Sequence, residues 1–224
     1  MLLILDKNKI AFPDPQTTDY DENLVVGGDL SVERLILAYE NGIFPWFPYR
    51  QRHITWCCPK QRYVIFPNQI HISHSMRNII NKQIYSFTID KCFSQVIEKC
   101  SIVNGRIDDP AAWLGHNMIN AYTNLHKKGY ATSVEVWCDG QLVGGLYGVQ
   151  IKHCFMGESM FSLKPNASKF ALIMLAKQMQ KLQMPMIDCQ METPHLKSMG
   201  GTYISYDLYL KILNNQIDFE NYIN

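Results

Sequence analysis

Residues 133–150 read "SVEVWCDGQLVGGLYGVQ". Two runs with strand character meet at Asp139-Gly140, a dipeptide that readily adopts the positive φ angles of a two-residue turn, so the stretch predicts a β-hairpin. Upstream, "DPAAWLGHNMINAYTNLHKKG" (109–129) offers Asp109 as a cap and Pro110 at the first helical position. Leu114, Met118, Tyr122 and Leu125 then share one face, and Lys-Lys-Gly closes the helix. Downstream, "HCFMG" (153–157) predicts another strand and "NASKFALIMLAKQMQKLQ" (166–183) a helix capped near Asn166. "PMIDCQ" (185–190) reads as a short buried strand. "TPHLKSMGG" (193–201) has a Thr cap, a Pro at the first helical position and a Gly stop. "TYISY" and "DLYLKILNNQ" predict a last strand and a last helix.

Helix, hairpin, strand, helix, strand, helix, strand is the order of an α/β (α+β) fold with a mixed sheet. This layout resembles that of the large N-acyltransferase superfamily (GNAT-like), a likeness of fold that does not fix function. Nearer the N-terminus, "GGDLSVERLILAYENGIF" (27–44) predicts a helix capped by Ser31, with Leu35, Ile36 and Tyr39 as its apolar stripe and Asn41-Gly42 as its stop. The expected division is a small N-terminal domain over residues 1–90 and an acyltransferase-like catalytic domain over residues 91–224.

The formal net charge is only +1, so contact with nucleic acid must come from a local patch. Residues 41–89 supply a candidate: they hold six Lys or Arg and no Asp or Glu, interleaved with Phe44, Trp46, Phe47, Tyr49, Trp56, Tyr63 and Phe66. That mixture suits a phosphate backbone and a stacked base, and equally suits a β-rich domain with an aromatic core and solvated charges. Seven cysteines without a CxxC pair predict reduced thiols. "MLLILDKNKI" is too short in apolar residues for a signal segment, and no stretch approaches the roughly 20 apolar residues that span a bilayer. A cytoplasmic protein away from membranes is expected.

Three residues stand out for chemistry. If "PMIDCQ" is a strand, Asp188 and Gln190 share one face while Cys189 joins Ile187 on the other, which argues against a cysteine nucleophile. A carboxylate and an amide two residues apart can hold an amine between them. The alternative is a core Asp bonded to the loop of His195. In "GESMFS" (157–162), Glu158 has apolar neighbours at the end of a strand, where it would meet a ligand amine or hydroxyl, or else be a solvated loop residue. The turn into the following helix has a single Gly, which disfavours the pyrophosphate cradle of a CoA-dependent N-acetyltransferase.

Taken together, "FPDP" (12–15), "GGDLSVERLILAYENGIFPWF" (27–47), "HISHSMR" (71–77), "LVGGLYGV" (142–149), "GESMFS", "NASKFAL" (166–172) and "IDCQMETPHLKSMGG" (187–201) resemble the bacterial leucyl/phenylalanyl-tRNA protein transferases. The resemblance implies an aminoacyltransferase, with no cofactor and no metal. It moves Leu or Phe, and Met less well, from charged tRNA to proteins with N-terminal Arg or Lys, marking them for N-degron degradation. It further implies Asp188, Gln190 and Glu158 as catalytic residues. Trp46, Trp113 and Tyr122 would lie at the terminal adenosine, and Leu146, Phe155, Met160, Leu172 and Ile187 would line the Leu/Phe pocket. His74, Arg77 and Lys82 would meet the tRNA backbone, and a monomer is expected. The competing expectations are a CoA-dependent N-acetyltransferase and a non-enzymatic nucleic-acid binder.

Overall fold

A computed structural model of the chain describes residues 3–19, 23–46, 54–102 and 115–217. Trp113, Arg50, Arg52, Phe47, Tyr49 and the Asp109-Pro110 start signal lie outside the described residues.

The elements run β1 (Ile4–Leu5), β2 (Asn23–Gly27), α1 (Val32–Glu40), β3 (Phe44–Trp46), β4 (Thr55–Cys57), β5 (Gln61–Ile65), α2 (His74–Asn81), β6 (Ser86–Ile89), α3 (Phe93–Ile102) and α4 (His116–Lys127). They continue with β7 (Ala131–Cys138), β8 (Gln141–Ile151), β9 (Cys154–Ser162), α5 (Ala167–Lys181), β10 (Met186–Asp188), α6 (Pro194–Ser198), β11 (Thr202–Ser205) and α7 (Tyr206–Leu213). The β7–β8 hairpin turns at Asp139 (φ 52°) and Gly140 (φ 74°), as the dipeptide predicts. Ser31 and Thr193 cap α1 and α6 through their side chains. Asn166 precedes α5 but is left-handed (φ 65°) and makes no side-chain cap; the Ser162 hydroxyl accepts from the Ser168 N–H instead.

Strands form a small sheet ordered β1-β2-β4-β3 and a seven-stranded sheet ordered β11-β5-β10-β9-β8-β7-β6. The large sheet is mixed: β9 and β10 run parallel, and every other pair is antiparallel. Both β5 and β6 belong to it, so the chain changes sheets between Cys57 and Gln61 rather than at residue 90. Within the expected N-terminal domain of residues 1–90, β5 and β6 find their backbone partners in the larger sheet. One face of that sheet carries a core with Tyr39, Val96, Tyr122 and Tyr209, contributed by α1, α3, α4 and α7, which also takes in Trp56 of the small sheet. The other face carries Met76, Phe170, Ile173 and Ala176, from α2 and α5. No described helix is long and apolar enough to cross a membrane.

The aromatic and basic block at 41–89 divides in two. Phe44, Trp56, Tyr63 and Phe66 are core residues, as the structural alternative has it, whereas Arg62 is fully buried rather than solvated, because it pairs with Asp188. His74, Arg77 and Lys82, on or just beyond α2, are exposed.

Candidate active site

The opening in the large sheet follows from strand lengths. β10 pairs with β9 only as far as Met156↔Asp188, whereas β9 continues to Ser162 without that neighbour. A cavity of about 570 Å³ occupies the gap. Leu146, Phe155, Met160, Leu172 and Ile187 all line it, which brings together the five residues expected for an apolar pocket. Trp46 stands at its wall, half-buried.

A regular strand would place Phe155 and Met160 on opposite faces. They share a face because β9 bulges: Gly148 pairs with Gly157 and Tyr147 with Ser159, leaving Glu158 as the extra residue. Gly148 is required there, since a Cβ would stand 2.2 Å from the Met156 carbonyl oxygen. "GESMFS" is therefore strand with a bulge rather than a strand end, and the bulge turns the Glu158 carboxyl inward while keeping Met160 in the apolar wall.

Three side chains hold Glu158. Tyr39 Oη lies 2.8 Å from Oε1, Tyr122 Oη lies 2.7 Å from Oε2, and the Gln190 amide Nε2 donates to Oε1 at 2.9 Å. The two tyrosine hydroxyls also touch each other at 2.6 Å. Burial pushes the Glu158 carboxyl up to about 7, outweighing its hydrogen bonds, and the nearby Asp188 charge adds to the rise. An acid raised in this way binds its extra proton in the folded state between about pH 4.5 and pH 7, so stability falls as pH rises through that window. Glu158→Gln is expected to flatten this dependence, by an amount on the order of 3 kcal/mol between pH 4 and pH 8, read from urea unfolding at each pH.

Asp188 departs from expectation. Arg62 donates to both its oxygens, at 2.8 and 2.7 Å, Tyr209 donates at 3.0 Å, and the Gln190 backbone N–H donates at 2.8 Å. The carboxylate is fully buried, and His195 is not among its partners. Strand alternation holds, but the faces are reversed: Ile187 and Cys189 line the cavity, while Asp188 points away from it. β10 ends at Asp188, and Gln190 returns to the cavity through a left-handed residue (φ 63°) rather than by sharing a strand face. Asp188 thus sets the loop that carries Gln190 and stands outside the cavity lining. Gln190 Nε2 is tied to Glu158, which fixes the amide group, and an amide oxygen held in this way can accept from an N–H.

Cys189 lines the cavity, but burial pushes its thiol up, and its hydrogen-bond partners among the described residues are the Ile187 carbonyl and the Ile65 backbone, neither of them a base. Cys189→Ala is expected to leave activity close to wild type. Tyr122 is fully buried and cannot offer a face to a base; its place is beside Glu158. Trp113 lies outside the described residues. No site role is expected from the sequence for Tyr39, Tyr209 or His195, although Tyr39 and His195 fall within the stretches that carry the resemblance. His195 lines the cavity with its Nε2 buried and unpartnered among the described residues, and burial lowers its pKa, helped by Lys169. Among the described residues no three His, Cys, Asp or Glu side chains gather as a metal site.

Fold and site define an α/β protein with a cavity in a sheet opening, apolar along most of its wall and closed by one half-buried carboxyl and one amide. Family models described as leucyl/phenylalanyl-tRNA protein transferase and its N-terminal domain match residues 64–214 and 28–60. The chain belongs to this leucyl/phenylalanyl-tRNA protein transferase family. Relatives carrying that name include proteins of Syntrophobacter fumaroxidans (44% identical, 93% of this chain and 88% of that one) and Flavobacterium psychrophilum (46%, 92% and 96%). A third is from Pseudomonas fluorescens (43%, 99% and 97%).

Proposed function

We propose that the protein transfers Leu or Phe, and Met less well, from aminoacyl-tRNA to the α-amine of proteins that begin with Arg or Lys, tagging them for N-degron degradation as a cytoplasmic monomer. The observation that carries this reading is the cavity itself: five apolar residues around a space closed by Glu158 and Gln190. A Leu or Phe side chain gains about 1.5–3 kcal/mol by full burial in such a space. A polar side chain leaves its groups unpaired there at a cost of about 1–3 kcal/mol. Met, similar in size and apolar, is only weakly excluded.

Glu158 at the polar end suits the donor's α-ammonium. The Gln190 amide oxygen accepts an N–H of the attacking amine and orients its lone pair toward the ester carbonyl. The ester supplies the free energy of transfer, so neither ATP nor a metal is called for. Trp46 is the described aromatic side chain suited to stacking on the terminal adenosine. His74, Arg77 and Lys82 supply backbone contacts, and Arg77→Ala is expected to reduce the salt slope of tRNA binding by about 1 while leaving amino-acid selectivity unchanged.

The test uses tRNA charged with labelled Leu and peptides beginning with Arg or Ala. Label is expected to appear in the Arg peptide alone. Absence of transfer, or acetylation of the peptide from acetyl-CoA, would overturn the assignment.

A further inference from the structure

The ring of contacts around Glu158 contains more bonds than an ionised carboxylate can satisfy. From Oε1 to Tyr39, to Tyr122 and back to Oε2 there are three close O···O contacts, at 2.8, 2.6 and 2.7 Å. Each needs one proton, and the two hydroxyls supply only two. Burial pushes both tyrosines well above their ordinary range, so neither hydroxyl is the ionised member. If Glu158 were ionised, either two hydroxyl oxygens would face each other at 2.6 Å with no proton between them, or one donation to the carboxylate would be lost. Gln190 donates to Oε1, which selects the sense of the ring: Oε2–H to Tyr122, Tyr122 to Tyr39, and Tyr39 to Oε1.

We propose that in the empty site Glu158 is a carboxylic acid closed into this ring by Tyr39 and Tyr122, and that it exchanges its proton for the α-ammonium of the donor amino acid. The second half rests on the functional reading above. The step balances as carboxylic acid plus ammonium giving a carboxylate–ammonium pair and one proton released to solvent. The cavity end then holds no net charge before binding and none after it, which avoids an uncompensated buried carboxylate in the empty protein. Tyr39 and Tyr122 act as positioning residues for Glu158. The other titratable groups facing it among the described residues are Tyr147 from β8, whose ring meets Tyr122 edge-on, and Asp188, already paired with Arg62 and Tyr209. The carboxyl near neutrality is consistent with this proton count.

Infrared difference spectra of the full chain test the ring without any substrate. A carboxylic-acid C=O band is expected at pH 6, absent in Glu158→Gln and lost on raising the pH past neutrality. In Tyr39→Phe the band should move to higher frequency, because the carbonyl oxygen loses a donor. The exchange is tested with a non-hydrolysable phenylalanyl-amido adenosine. Its binding at pH 6 should abolish the band and release about one proton, read by calorimetry in two buffers of different ionisation heat. The phenyllactyl analogue, with a hydroxyl in place of the amine, should leave the band and release none. Absence of a Glu158-dependent acid band at pH 6 would overturn the ring. A band that persists with the amine bound would overturn the exchange. Failure of the amine analogue to bind would overturn the exchange and the functional reading together, while a Glu158 band would still uphold the ring.

Discussion

Arg62→Ala is expected to destabilise the chain by about 3–5 kcal/mol, the cost of leaving one member of a buried ion pair without its partner. Both charged groups are fully buried, and the guanidinium lies 4.8 Å from the centroids of the Phe44 and Tyr209 rings, so water cannot replace it at Asp188. Much of the fold meets at this pair. It joins β5, β10 and α7, and through the Gln190 N–H it fixes the loop behind the cavity. Removing both charges separates stability from activity. Arg62→Met with Asp188→Leu should recover most of the lost stability by urea denaturation, as other buried pairs do when replaced by apolar groups. Transfer should remain low in that double variant, because the Gln190 loop has lost its acceptor.

Gln190→Ala carries the largest expected effect on activity, a fall of about 10²-fold in kcat for transfer. The backbone N–H that donates to Asp188 survives in Ala, so the fold should be unaffected and tRNA affinity nearly unchanged. Two things disappear with the side chain: the donor to Glu158 Oε1 and the amide oxygen that the donor orients. A loss confined to KM would mean that Gln190 contributes binding alone and does not align the attacking amine.

Much of the fold is legible because local signals agree with tertiary placement. Asp139-Gly140 turns a hairpin, Ser31 and Thr193 cap helices, and the 166–183 pattern forms α5. The five apolar pocket residues converge, although they come from β8, β9, α5 and β10. What the sequence hides is long-range pairing. Arg62 reads as a surface cation until its partner 126 positions away buries it, and β5 reads as part of an N-terminal domain until β10 and β11 claim it. Tyr39 reads as helix stripe, and its hydroxyl meets Glu158 only because α1 packs over the bulge in β9. The facing pair Gly148 and Gly157 is the one signal that could have located that bulge, since glycine within a strand often marks one. The short strand 186–188 shows the same limit: period-two alternation correctly separates Asp188 from its neighbours, but only the neighbouring strands reveal which face holds the cavity.

The most direct measurement is a crystal structure of the chain with phenylalanyl-amido adenosine. The phenyl ring is expected among Leu146, Phe155, Met160, Leu172 and Ile187, with the α-amine on Glu158 beside Gln190 and the Arg62–Asp188 pair unbroken. An amine seated on Asp188, or a phenyl ring outside the cavity, would contradict the account.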